Sequence, residues 1–182
     1  MLLFISSAVT AQKTYVPDDN FEAYLEANSL GDGIANNDSV TTSLIAAVDS
    51  LFIDSIGISD FTGIRSFTSI KKLVANGNLA QTINLSGLQD LEVFQLASTT
   101  LDTLILFNCS SITNVGLYGY NLNLLNLENC TSLSSFNSDY STINTLILNG
   151  CSAISDIEIK YNSIVEVKAR NCVSLFELSF YG

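Results

Sequence analysis

The chain reads as a solenoid: stacked coils that carry two parallel β-sheets around a narrow apolar core, with a short helical cap at the N-terminal end. Three observations predict this. Its only four cysteines, Cys109, Cys130, Cys151 and Cys172, follow one another at intervals of 21 residues. In rows of 21 starting at Ile70, Leu91, Ile112, Leu133 and Ile154, the apolar positions repeat column by column. After Pro17 there is no proline, as strands bonded on both sides require.

The columns justify the coils one at a time. Three residues into the rows stand Leu73, Phe94, Val115, Phe136 and Ile157. Five residues in stand Ala75, Leu96, Leu117, Ser138 and Ile159. The column at ten begins with Ala80 and Leu101, the column at thirteen with Ile83 and Leu104, and the column at fifteen with Leu85 and Leu106. The column at eighteen holds Leu88 and then the four cysteines. Of the 35 positions in these columns and the row starts, only Ser138 is polar. Each row contains L-x-x-L-x-L twice, and the L-x-L part alternates in and out as a strand does. One coil cannot bury its apolar face alone, so the columns must match from row to row. Each buried aliphatic side chain contributes on the order of 1.5–3 kcal/mol to the stack. Just before the cysteine column stand Gly87, Asn108, Asn129, Gly150 and Asn171, residues that tolerate positive φ. A tight left-handed turn is expected there in every coil.

The N-terminal part differs. Residues 1–11, "MLLFISSAVTA", read as a signal peptide lacking its basic start, with a small-residue cleavage motif at Val9-Thr10-Ala11 that would leave Gln12 first. Residues 12–47 form the cap. Asp19 with Glu22 gives a capping-box-like helix start, Phe21 and Leu25 share one helical face, and Gly31 can end the helix. Residues 48–182 hold the repeats: one 22-residue coil, five 21-residue coils from Ile70, and a partial last coil.

Composition excludes several function classes. The 18 acidic and seven basic residues leave a net charge of −11, and phosphate binding needs a basic patch. The acids concentrate early: residues 1–69 hold nine acids and two bases. Outside the signal, no apolar run approaches the roughly 20 residues of a membrane span. With no histidine, Ser-His-Asp and Cys-His arrangements are excluded.

The phrases "LDTLILFNCSSI" and "INTLILNGCSAI" resemble the leucine-rich repeat consensus L-x-x-L-x-L-x-x-N/C-x-L. The 21-residue rows resemble those of secreted and surface leucine-rich repeat proteins of the Bacteroidetes, and the coil from Val48 looks internalin-like. The resemblance covers roughly residues 14–182 and implies export, in many such proteins by type IX secretion. It also implies a secreted or outer-surface location and a binding or adhesion role without catalysis. Its relatives usually carry a C-terminal sorting domain; Gly182 falls eight residues into a new coil, which reads as a fragment.

Within that frame each candidate site has competing readings. An even cysteine count in an exported protein allows disulfides. Stacked parallel Cβ vectors oppose the twist a bridge needs, and Leu88 in the same column favours buried free thiols forming a structural ladder. Zinc would need a C-x-x-C pair or histidine. Asp32, Asn36 and Asp38 have a faint calcium-loop look but lack the closing glutamate, so a solvated acidic loop is expected and no metal or cofactor is. Asp156, Glu158 and Glu177 could pair as acid and base in glycoside cleavage, although a flat sheet edge offers no pocket. Tyr118, Tyr120, Tyr140 and Tyr161 fall beyond the inward columns at the end of the first strands. They are the expected contact site for a protein or glycan partner; a stacked ladder that only stabilises the sheet is the competing reading. A passive spacer in a larger surface protein is the main alternative function, and a carbohydrate-active enzyme a remote one. The last rung, with Leu175, Leu178 and Phe180, is expected to allow end-to-end self-association of the fragment.

Overall fold

In the computed structural model, residues 11–97, 100–118, 120–161 and 163–181 are described. The cap comes first. Strand β1 (Lys13–Tyr15) pairs antiparallel with β2 (Ser39–Thr41), and helix α1 (Asp19–Ala27) lies between them in sequence. Helix α2 (Thr42–Ala46) follows β2 directly. The N-cap of α1 is Asp18, one residue before the expected start, and its Oδ1 accepts from the N–H of Phe21. Its Oδ2 accepts from the Ser59 N–H and Oγ–H and from the Asp60 N–H, so the same carboxylate fastens the helix to the first coil. Those tertiary bonds decide between two adjacent aspartates that sequence could not separate. Glu22 does not complete a capping box: it is buried and accepts from the backbone of Asn37 and Asp38. The helix ends at Ala27, with Ser29 left-handed at φ 60° and the Leu30 N–H reaching the Leu25 carbonyl, so Gly31 is not its terminator. Phe21 and Leu25 are fully buried, and Phe21 packs 6.1 Å from both Phe61 and Phe67 of the first coil.

The coils form two faces. On the first run β3 (Ser50–Phe52), β4 (Lys72–Val74), β6 (Val93–Gln95), β8 (Asn114–Tyr118), β10 (Ser135–Asp139), β12 (Asp156–Lys160) and β14 (Glu177–Tyr181). On the second run β5 (Thr82–Asn84), β7 (Thr103–Ile105), β9 (Asn121–Asn126), β11 (Thr142–Ile147) and β13 (Glu166–Lys168). Pairing is parallel throughout and follows the repeat: Leu51 faces Leu73, Val115 faces Phe136 and Phe136 faces Ile157. The second face is one sheet of five strands, whereas the first divides into β3-β4-β6 and β8-β10-β12-β14. The fold is therefore a leucine-rich repeat solenoid with two parallel sheets and a short helical cap.

The first coil departs from the rest in one place. Where later coils carry a second-face strand, it forms a 3₁₀ turn at Ile64–Ser66. Its apolar residues recur every three positions, at Ile58, Phe61, Ile64, Phe67 and Ile70, and all five are buried. That period matches three residues per turn rather than the two of a strand.

The interior is one continuous column from Phe21 to Ile159, and Ser138 is buried within it. Ahead of the cysteine column the expected left-handed turn is present in every coil, with φ of 80° at Gly87, 60° at Asn108, Asn129 and Asn171, and 77° at Gly150. At Gly150 a Cβ would also lie 2.3 Å from Oδ1 of Asn129, so a side chain there would have to displace that amide.

Candidate functional site

The repeat places a second turn on the other side of each coil, and this turn carries the candidate site. Each row contains the consensus twice, so its N/C position also occurs twice. On one side it is the cysteine column; on the other it is Asn78, Tyr120 and Ser141 among the described residues. The two columns work alike. Each cysteine donates its S–H to a leucine carbonyl 24 residues back: Cys109 to Leu85 at 3.2 Å, Cys130 to Leu106 at 3.2 Å, Cys151 to Leu127 at 3.0 Å and Cys172 to Leu148 at 3.1 Å. Tyr120 donates its hydroxyl to the Leu96 carbonyl, also 24 residues back. Asn78 donates to the carbonyls of Ile53 and Ala75 and accepts from the Ile58 N–H.

Tyr120 is thereby corrected from a surface contact to a core residue; it is 2% exposed. Its physical role is to close the turn of the coil below, as a buried polar group must find a partner. The Tyr118 side chain lies outside the described residues; its backbone ends β8. Tyr140 and Tyr161 are 59% exposed each and stack on one another, with ring centroids 4.7 Å apart and planes 16° from parallel. Both occupy left-handed backbone, at φ 54° and 53°. They sit one residue ahead of the N/C position, where the equivalent Gly77 has φ 68°. The pair is thus positioned by a left-handed turn that Gly77 also takes, as does Ser55, aligned with it in the first coil, at φ 55°.

The cysteines are all free thiols; three are buried, and Cys172, expected to be buried, is partly exposed because it lies in the outermost of the complete coils. Burial pushes the Cys109 and Cys151 thiols up to about 12 and raises Cys130 and Cys172 as well. Such thiols are protonated donors and poor nucleophiles. Asp156 and Glu158 are placed on β12 and Glu177 on β14, with Asp156 opposite Glu177 in the ladder. The Glu177 side chain lies outside the described residues.

Asp32 binds Lys13 at 2.9 Å and accepts from Asn37, and these bonds, the Lys13 one foremost, hold its carboxyl far below the usual range. Asp19, Glu22 and Asp38 each bring a carboxylate oxygen within 4.8 Å of the others. Both Glu22 oxygens accept backbone N–H groups, from Asn37 and Asp38. The signal reading falls almost wholly on residues 1–10, which lie outside the described residues. No helix among the described residues is long and apolar enough to cross a membrane.

The chain matches no family model and no curated protein at a significant level. Solved structures do resemble it. An internalin, InlF, from Listeria monocytogenes aligns with 18% identity over 82% of this chain and 58% of its own, at a TM-score of 0.44. The functional domain of InlJ from Listeria monocytogenes, described as including a cysteine ladder, aligns with 13% identity over 95% of this chain and 65% of its own, at 0.36. The chain thus spans about 58% and 65% of the length of these two. Internalin C2 from the same species aligns with 14% identity over 88% of this chain and all of its own, also at 0.36.

Proposed function

We propose that this chain is a non-catalytic leucine-rich repeat module of an exported or cell-surface protein, and that it binds a protein or glycan at Tyr140 and Tyr161. One observation carries the reading: two bulky aromatic residues, stacked and exposed, occupy left-handed turn positions. Left-handed backbone costs a residue with a side chain roughly 1–2 kcal/mol. An aromatic pair returns about 0.5–1.5 kcal/mol beyond the area it buries. At the equivalent turn of the first 21-residue coil stands Gly77, which takes this backbone without the side-chain cost. Tyrosine offers a contacting partner a broad apolar face and a hydroxyl at small entropic cost. The test is the double variant Tyr140→Ser/Tyr161→Ser, screened beside the parent on glycan arrays and against surface proteins of candidate partner cells. Parent binding that disappears in a variant of near-parental melting temperature supports the reading. An unchanged binding profile refutes the site, and a parent that binds nothing in either screen favours the spacer.

A further inference from the structure

The second sheet begins at β5, and its outer edge is open. Ladder bonds on the β7 side use the Gln81 carbonyl, which accepts from Asp102 and Thr103, and the Leu85 N–H, which donates to Ile105. By the alternation of a strand, the N–H and C=O groups of Thr82 and Asn84 point the other way, toward the first coil. The next carbonyl of that parity, on Ser86, shows the direction: Arg65 Nε donates to it at 2.8 Å. Among the described residues β5 pairs only with β7, and Thr82 and Asn84 have no backbone partner on the other side. The first coil cannot supply one. Its 3₁₀ turn uses its own N–H groups internally, Ile64 to Phe61, Ser66 to Gly63 and Phe67 to Ile64.

Beside this edge lies a groove of about 460 Å³, lined by Thr14 and Tyr15 of β1, by residues 60–66 of the first coil and by Thr82 and Asn84 of β5. At Gly63 the first coil approaches β1 so closely that a Cβ would meet Val16 at 2.7 Å and the Tyr15 carbonyl at 2.8 Å. Arg65 lines it too, exposed and in no ion pair among the described residues. The other base of residues 1–69, Lys13, is already bound to Asp32.

We propose that this groove receives an extended segment of a partner polypeptide, which adds to β5 as a further strand and sets an aspartate or glutamate side chain against Arg65. Alternating unpaired N–H and C=O groups along an edge are matched by another backbone, which is how strands are added to sheets. A guanidinium whose Nε is fixed by a backbone carbonyl presents its remaining N–H groups to a carboxylate. The site is separate from Tyr140 and Tyr161 and does not depend on them.

The experiment uses the full chain and two variants, Thr82→Pro and Arg65→Gln. Proline at position 82 removes an N–H that no ladder bond uses, so the fold is retained while the edge is blocked. Native-state amide exchange of the parent should show Thr82 and Asn84 as fast, and protection of both in the free chain would overturn the proposal, because the edge would already be covered. A phage-displayed library of random dodecapeptides is then panned on the parent with Thr82→Pro as competitor. Enriched peptides should carry an acidic residue among β-branched ones and slow exchange at both amides. They should lose about tenfold or more in affinity on either variant, and keep it on Tyr140→Ser/Tyr161→Ser. Peptides that bind Thr82→Pro equally, or no enrichment over it, would overturn the proposal. So would a dimer of the free chain that Thr82→Pro dissolves, which would make the occupant a second copy. If Thr82→Pro fails to fold, Asn84→Pro replaces it, with the exchange measurement on the parent standing by itself.

Discussion

Replacing Asn78 by alanine tests whether the second N/C column holds the coils together. Asn78 is 4% exposed and ties three backbone groups that water cannot reach: the Ile58 N–H at 3.0 Å, the Ile53 carbonyl at 2.8 Å and the Ala75 carbonyl at 3.0 Å. Alanine leaves all three without a partner, and each buried orphan costs about 1–3 kcal/mol. Relaxation recovers part of this, so the expected loss is about 3–5 kcal/mol. With an m-value of about 2–3 kcal/mol/M, the urea midpoint falls by roughly 1–2 M. The readout is far-UV circular dichroism in urea, with tyrosine fluorescence as a second probe to test whether the coils unfold together. Asn78→Cys is the graded control: it can donate S–H to the Ile53 carbonyl as Cys109 does to Leu85, and should lose about half as much. A loss below about 1 kcal/mol for Asn78→Ala would refute the argument that this column carries buried bonds.

Two further predictions follow from the cap and the thiols. Asp18→Ala removes the N-cap bond and the bonds from Ser59 and Asp60, so it should cost about 2–3 kcal/mol and free the cap to exchange its amides before the coils do. Burial opposes the Asp18 charge, yet the Ser59, Phe21 and Asp60 bonds outweigh it and depress the pKa from 3.8; Asp32 is depressed too, so these contributions are present above pH 3.8 and fade as pH falls below it in an acid titration followed by the same probe. Iodoacetamide should modify Cys172 first and reach the other three cysteines only after unfolding, and a disulfide found by mass spectrometry would contradict the ladder geometry. In the folded chain the Cys109 and Cys151 thiols keep their protons to about pH 12, whereas unfolded thiols release them near 9.0; the unfolded state binds fewer protons in that window, so stability should fall as pH rises through it.

The coils were legible because burying a repeat demands that like residues stack, and chance does not put 34 apolar residues into 35 column positions. The left-handed turns were legible for the same reason, glycine and asparagine recurring at one position. The second N/C column was hidden because it is defined by a bond rather than by apolarity. Asn78, Tyr120 and Ser141 share no chemistry except a polar group that can serve the turn; Ser141 Oγ, for instance, accepts the Tyr120 N–H. Counting the consensus twice per row, as the doubled L-x-x-L-x-L invites, would have placed Tyr120 inside. The start of α1 could not be read to one residue because Asp18 and Asp19 are both able caps, and only Ser59 and Asp60, distant in sequence, choose between them. The open edge of β5 depends on the shape of the preceding coil. Its signal was the three-residue apolar period from Ile58 to Ile70, which differs from the strand period of every later coil.

A repeat protein supplies its own controls, since each position is copied in every coil under nearly the same packing demand. Where the copies agree, stability explains the choice: leucine in the columns, glycine or asparagine at the left-handed turn before the cysteines. Where a copy departs at an energetic cost, stability explains nothing, and strained backbone is the kind of departure that collects at functional sites. We read Tyr140 and Tyr161 in that sense: the aligned turn at Gly77 and those across the coil at Gly150 and Asn171 keep residues the backbone prefers, although Ser55 takes the same turn in the first coil. Tyr120 does not depart so, because its ring is buried and its hydroxyl serves the same kind of carbonyl that a cysteine serves elsewhere. The distinction separates the two tyrosines proposed as a contact site from one that builds, although all three fall within a few positions of one another in the repeat.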